Sequence, residues 1–218
     1  MTDVNKKGFQ SRCILVSHVF RLAMVFFLVV AISIDNLSWT LICISGIVVS
    51  AVPIFLKRYL KIELPGVLDL LITLALLLHT GVVGVFDNIY HILPEFDLVT
   101  HFVSSVLVAF IALIALYLLN EYWDGLHLNI YTMAFAAVVI TMACGVVWEL
   151  GEWAIGKLWG IPFQVDLDDT MIDLLVDTTG ATIMAVIGIY LIKKGSMKEM
   201  TRGLGKLVDL LQNKMNKS

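Results

Sequence analysis

The chain has 218 residues, of which 59% are hydrophobic and only 15% are charged, and its formal net charge is -3. Soluble domains typically contain about 45–50% apolar residues, so this composition indicates a protein that is solvated by lipid. It excludes a water-soluble domain of useful size, because little sequence remains outside the apolar segments.

Six apolar segments are long enough to form membrane helices, since a bilayer core requires about 20 residues per helix. The first follows several basic residues, as in a signal peptide, but no small-residue cleavage site follows it, and we interpret it as a retained helix. Connections are short, so neighbouring helices should pack antiparallel in one bundle. We therefore predict an all-α polytopic membrane domain over residues 1–192, with helices at 13–34, 37–56, 66–86, 97–119, 129–153 and 170–192.

Residues 193–218 form a basic tail in which apolar side chains recur every three or four positions. This spacing predicts an amphipathic helix lying on the cytoplasmic membrane surface. A solvated tail with only partial helix is the alternative. The apolar positions are Met197, Met200, Leu204, Leu207, Leu211 and Met215.

Lys and Arg residues set the predicted orientation. Of the 15 in the chain, three precede the first helix, three lie between the second and third helices, and seven follow the sixth. Cytoplasmic loops carry the excess of these residues. We therefore expect a plasma or inner membrane protein with both termini in the cytoplasm.

Three cysteines, Cys13, Cys43 and Cys144, lie within apolar segments. Their odd number and apolar surroundings predict core residues rather than a disulfide framework or a metal knuckle.

Acidic residues gather at the predicted outer ends of the helices, although they come from distant parts of the chain. Residues four apart share a helix face. Asp169, Asp173 and Asp177 would therefore form a stripe about 12 Å long at the outer end of the sixth helix. Carboxylates at membrane depth cost several kcal/mol unless they are compensated. The candidate site residues are Asp97, His101, Glu149, Glu152, Asp173 and Asp177, with Asp87 as a more distant contributor.

Structural interpretations compete with a site at several of these positions. Asp169 could simply cap the sixth helix, and the nearby acids Asp166 and Asp168 could be ordinary loop residues. Glu149 and Glu152 could face water at the interface. His101 could be a hydrogen-bonded core residue.

A second, weaker set of polar residues lies in the third predicted helix. Asp69 could form a buried structural pair with Arg21 of the first helix, which is the interpretation we favour. His79 could extend a proton path from the outer acids.

If a metal binds, several carboxylates with one imidazole suit Mg²⁺, Mn²⁺ or Fe²⁺. A structural zinc site would require more Cys or His ligands. The acids could instead share protons or line a wet cavity.

Three motifs together resemble the YjdF-type family of inner-membrane proteins, which is distantly VanZ-like. They are FDLVTHF at 96–102, WELGEW at 148–153 and DDTMIDLLVDTTGA at 168–181. The resemblance covers about residues 66–190 and leaves the first two helices and the tail outside it. It implies the topology and the positions of the motifs, but it implies no reaction.

The residues leave three functions open. The first is an enzyme with a divalent metal site near the outer face that acts on a lipid or lipid-linked substrate, with His101 as a candidate base. The second is an ion or proton translocator. The third is a non-catalytic membrane protein that is structural or binds a partner. We expect membrane lipids and no nucleic acid as partners, and the oligomeric state is left open.

Overall fold

The computed structural model describes residues 3–85, 95–123, 125–159 and 166–215, and these ranges are helical without β-strands. Five helices in these ranges, counting α2 and α3 as one span, are long and apolar enough to cross a membrane, and α4 contributes a shorter apolar stretch, Gly66–Gly81. The predicted fold class, an all-α membrane bundle, is confirmed. The helices are α1 (Asp3–Ser33), α2 (Leu37–Ser50), α3 (Val52–Tyr59), α4 (Gly66–Val85), α5 (Glu95–Tyr122), α6 (Ile130–Trp159), α7 (Leu167–Lys193) and α8 (Ser196–Met215).

The second predicted helix is divided into α2 and α3. Asn36 caps the start of α2, where its side-chain oxygen accepts a hydrogen bond from the Trp39 backbone N–H at 3.0 Å. Pro53 lies in the first turn of α3, where its missing N–H is tolerated. The two helices still form one apolar span, Leu37–Tyr59.

The helices fall into two compact units, the first within residues 1–94 and 199–218 and the second within 95–198. In the described part of the chain α7 ends at Lys193 and α8 begins at Ser196. The predicted division into a membrane domain and a tail at residue 192 stays a prediction.

In the first unit, α1, α2 and α4 pack against one another. Trp39 of α2 is buried, and its indole Nε1 donates to the Thr80 carbonyl of α4 at 2.8 Å. A Cβ at Gly46 would lie 2.6 Å from the Thr80 methyl group, so a glycine is needed where these helices meet.

A largely buried ion pair joins the same three helices. The Arg21 guanidinium of α1 pairs with Asp69 of α4, and its Nε donates to the Ser50 carbonyl of α2 at 3.0 Å. The structural interpretation of Arg21 and Asp69 is confirmed.

In the second unit, α5, α6 and α7 each pack against the other two. Small residues allow close approach of membrane helices, and a Cβ at Gly180 of α7 would overlap the Ser105 hydroxyl of α5. The buried residues of α7 are Asp173, Asp177, Gly180, Ala181, Met184, Ala185 and Gly188.

The prediction that all three cysteines are core residues is wrong for one of them. Cys13 and Cys43 are buried, but Cys144 is exposed on the surface of α6. In a membrane protein lipid accepts an apolar side chain as readily as the core does, so an apolar sequence context does not decide burial. All three are free thiols in the structure.

Candidate metal centre

Three helices of the second unit place ionisable side chains in one buried cluster. Asp97 and His101 lie on successive turns of α5, Glu149 lies on α6, and Asp173 and Asp177 lie on successive turns of α7. Asp97 is partly exposed and the other four are buried. We call these five residues the acidic cluster.

His101 is the centre of the acidic cluster. Its Nδ1 lies 3.3 Å from Asp177 Oδ1, and its Nε2 lies 3.7 Å from Glu149 Oε1. The imidazole therefore faces a carboxylate of α7 on one edge and a carboxylate of α6 on the other. Only the contact with Asp177 is within hydrogen-bond distance.

Asp97, His101 and Asp173 form one group of potential metal ligands. Each offers one potential ligand atom, and these atoms all lie within 4.8 Å of one another. Mg²⁺ binds oxygen at about 2.0–2.1 Å and Ca²⁺ at about 2.3–2.6 Å. Ligands on opposite sides of one ion are therefore about 4–5 Å apart, so these three residues fit around a single cation.

Two carboxylate oxygens in the acidic cluster are buried without a hydrogen-bond partner, Glu149 Oε1 and Asp173 Oδ1. Asp173 is only 2% exposed and Glu149 only 5%. Buried polar atoms are nearly always satisfied, so two orphaned oxygens beside one imidazole call for a group that binds carboxylates.

The charge of the acidic cluster is also unbalanced. Four carboxylates surround one imidazole, and within the described ranges no Lys or Arg forms a salt bridge with any of them. Two carboxylates about 5 Å apart repel by about 3 kcal/mol at an effective dielectric constant of 20. A cation or bound protons would relieve this repulsion.

Glu152 lies near the acidic cluster but has a different partner. Its Oε1 accepts a hydrogen bond from the Trp148 indole Nε1 at 2.9 Å, one turn earlier on α6. It does not belong to the group formed by Asp97, His101 and Asp173. A ligand role for Glu152 stays a prediction, as it does for the other candidate residues.

Asp166, and not Asp169 as considered from the sequence, caps the start of α7. Asp166 Oδ1 accepts from the backbone N–H of Asp169 at 2.9 Å, so Asp166 is the cap and its interpretation as a loop acid is wrong. Asp169 donates to that cap rather than providing it. Asp87, the more distant contributor, lies outside the described residues.

A glycine that was not among the predicted site residues also shapes the acidic cluster. Gly145 of α6 is buried, and a Cβ at this position would overlap Asp177 Oδ2. An isolated glycine inside an apolar helix, one turn before Glu149, was the available signal, since such a glycine often marks a close approach.

Comparisons with known proteins agree with the membrane fold. A family model described as "Predicted membrane protein (DUF2238)" matches residues 15–194. An uncharacterised protein from Thermotoga maritima is 32% identical over 136 residues, which is 61% of this chain and 67% of that protein. No solved structure matches the chain significantly.

These matches confirm the resemblance to the YjdF-type membrane proteins. They also correct its extent. The family match begins at residue 15, so it includes the first two membrane helices, which the three motifs had left outside.

Proposed function

We propose, for a chain that belongs to the DUF2238 family of predicted membrane proteins, that the acidic cluster binds a divalent metal ion and acts on a lipid or lipid-linked substrate. The observation that carries the proposal is the pair of buried carboxylate oxygens without partners, at Glu149 and Asp173. A cation between the helices would satisfy Asp173 directly, and water held by that cation would donate a hydrogen bond to Glu149.

The geometry favours a specific division of roles. Asp177 holds Nδ1 of His101, which leaves Nε2 on the side of Glu149 and available to a metal ion. Metal-bound histidines usually donate their second ring N–H to a carboxylate in this way. In this proposal Asp97, His101 Nε2 and Asp173 are ligands, and Asp177 orients the imidazole.

Glu149 then takes the role of general base. A histidine whose two nitrogens are both engaged has no nitrogen left for proton transfer, which argues against His101 as the base when metal is bound. Glu149 Oε1 lies 3.7 Å from His101 Nε2, so it is close to the proposed ion. A bound Mg²⁺, Mn²⁺ or Fe²⁺ would polarise a phosphoryl oxygen or activate water.

A lipid substrate is favoured by the position of the acidic cluster and its surroundings. At 1.5 Å per residue, His101 and Asp173 each lie about 9 Å from the start of their helices. Apolar side chains near Glu149 point outward, where Trp148, Leu150 and Trp153 are about half exposed. A lipid-linked group could therefore reach the cluster from within the membrane, and the distribution of Lys and Arg favours the outer leaflet.

Ion or proton translocation is less well supported. Beyond the cluster, Ser105 and Thr141 are the next buried polar residues, and the buried positions of α7 that follow Asp177 are glycine, alanine and methionine. The described parts of α5 and α6 between these polar residues and the opposite helix ends contain no buried Asp, Glu, His, Lys or Arg. Ionisable residues confined to one end of the helices suit a reaction site better than a route for ions or protons across the membrane.

Metal binding is tested first, because it does not require a known substrate. Purified protein in detergent should retain a divalent ion by elemental analysis, and metal-stripped protein should bind Mn²⁺ in a titration followed by electron paramagnetic resonance. Asp173→Asn and His101→Gln should weaken Mn²⁺ binding by more than about 100-fold, because loss of a residue that only orients a ligand already costs about 10–100-fold.

Glu152→Gln is the matched control, since it removes a nearby carboxylate that has its own indole partner. It should change Mn²⁺ affinity less than threefold. Absence of any divalent ion, together with no saturable Mn²⁺ binding by folded, metal-stripped protein, would refute the proposal.

A further inference from the structure

A polar cavity of about 490 Å³ lies in the first unit, separate from the acidic cluster. It is lined by the segment between α3 and α4, by α1 near its beginning and by the first half of α8. Cavities of about 300–1,000 Å³ are typical of ligand sites. Its charged and amide side chains are Gln10, Lys57, Lys61, Glu63, Glu199 and Arg202.

Positive charge predominates in this cavity, with three cationic side chains against two carboxylates. Lys57 Nζ lies 3.2 Å from Glu63 Oε1, so this lysine already compensates one of the acids. Among the other lining residues, Lys61 and Arg202 carry two positive charges and Glu199 carries one negative charge. The cavity therefore favours an anion.

The backbone turn that follows α3 and its close contact with α8 shape the cavity. Lys61 has a φ of 57°, a left-handed conformation that ends α3, and the following Ile62 is buried and returns its N–H to the Leu56 carbonyl at 3.1 Å. A Cβ at Gly203 would overlap the Glu63 carbonyl oxygen, so a glycine lets α8 lie against this turn. Because non-glycine residues adopt left-handed conformations only when surrounding structure holds them, the backbone at Lys61 is fixed at the edge of the cavity.

The position of the cavity relative to the apolar spans indicates the class of anion. Gln10 lies in the first turn of the apolar span Gly8–Ser33, the span Leu37–Tyr59 ends just before Lys61, and α4 begins at Gly66. The cavity therefore lies where three apolar helices begin or end, which is the level of lipid headgroups. Basic pockets at this depth bind anionic headgroups.

We propose that this cavity binds the headgroup of an anionic phospholipid, with Lys61 and Arg202 as the phosphate-binding side chains. This lipid site is independent of the proposed metal centre, because none of its residues belongs to the acidic cluster.

The test compares lipids on purified, delipidated full-length protein. Dioleoylphosphatidylglycerol should bind more tightly than dioleoylphosphatidylcholine by native mass spectrometry, and it should raise the melting temperature in detergent. The double variant Lys61→Gln/Arg202→Gln should weaken phosphatidylglycerol binding about 30-fold, since each cation near a headgroup contributes about fivefold. The charge-conserving variant Lys61→Arg/Arg202→Lys should retain binding, provided that all proteins melt at similar temperatures without lipid.

A matched control removes the same charge elsewhere. Lys193 and Lys194 are exposed lysines that contact Tyr131 and Tyr190 and do not line the cavity. If Lys193→Gln/Lys194→Gln weakened phosphatidylglycerol binding equally, non-specific attraction to surface charge would explain the binding, and the proposed lipid site would be refuted. If inorganic phosphate competed at low millimolar concentration, the cavity would be a site for a soluble anion and the lipid proposal would fail.

Discussion

Two buried charged groups in this protein differ in how the chain compensates them. In the first unit, Arg21 and Asp69 form a pair, and the guanidinium also donates to a backbone carbonyl. In the second unit, four carboxylates share one imidazole, and two of their oxygens have no partner.

This difference separates a scaffold from a candidate site. A buried charge with a complete set of partners stabilises the arrangement of helices and is already satisfied. A buried charge without them retains a capacity to bind that the folded chain does not use. The sign and number of charges in each group, rather than burial alone, therefore indicate which one serves chemistry.

The largest effect should come from breaking the compensated pair. Asp69→Ala leaves the Arg21 guanidinium buried without its counter-ion, and loss of one partner of a buried pair costs about 3–5 kcal/mol. We expect a large decrease in the free energy of unfolding, measured by denaturation in mixed micelles.

The double variant Arg21→Met/Asp69→Leu provides the control. Apolar replacement of a whole buried pair is often neutral or stabilising, so most of the lost stability should return. If the double variant were as unstable as Asp69→Ala, the pair would not be the source of the effect.

Removing a charge from the acidic cluster should change the free energy of unfolding in the opposite direction. In metal-stripped protein, Asp173→Asn removes like-charge repulsion and should increase the free energy of unfolding by about 1–3 kcal/mol. With saturating Mn²⁺ the unsubstituted protein should be more stable than Asp173→Asn, because its folded state binds the ion more tightly and gains more stability from it. Thermal melts with and without Mn²⁺ measure both values, and an equal effect in the two conditions would contradict a metal site at Asp173.

A smaller effect should come from a residue that only positions a cluster member. Gly145→Ala places a methyl group where Asp177 Oδ2 lies, so that carboxylate must move away from His101. Loss of such an orienting contact typically weakens metal binding about 10–100-fold. Mn²⁺ titration of the folded variant measures the change.

Gly151→Ala is the matched control on the same helix, because a Cβ at Gly151 meets nothing within 4 Å. Alanine is favoured over glycine in helices by about 1 kcal/mol, so this variant should be slightly more stable with unchanged Mn²⁺ affinity. Equal loss of Mn²⁺ affinity in both variants would indicate a general effect on α6.

Much of the fold follows from hydropathy alone. Every predicted membrane helix has a counterpart in the structure, but α1 begins at Asp3 rather than at residue 13. Hydropathy marks the part of a helix that can lie in lipid, whereas backbone hydrogen bonding continues into polar residues. The break between α2 and α3 was missed, although Pro53 was a local signal for it.

The acidic cluster was only partly accessible from spacing. Residues four apart share a helix face, which correctly grouped Asp97 with His101 and Asp173 with Asp177. Spacing within one helix carries no information about which face of the next helix it meets. The different partners of Glu149 and Glu152, three residues apart on α6, could therefore not be separated in advance.

The amino-acid sequence by itself determined that this is a helical membrane protein, because apolar length and the exclusion of charge are properties of single segments. It also determined which acids could share a helix face. Only the tertiary structure decided that His101 lies between Asp177 and Glu149 and that Gly145 makes room for Asp177. These contacts depend on how helices distant in the chain rotate and pack against one another, which is set by the fit of many small side chains together and not by the pattern of any one helix.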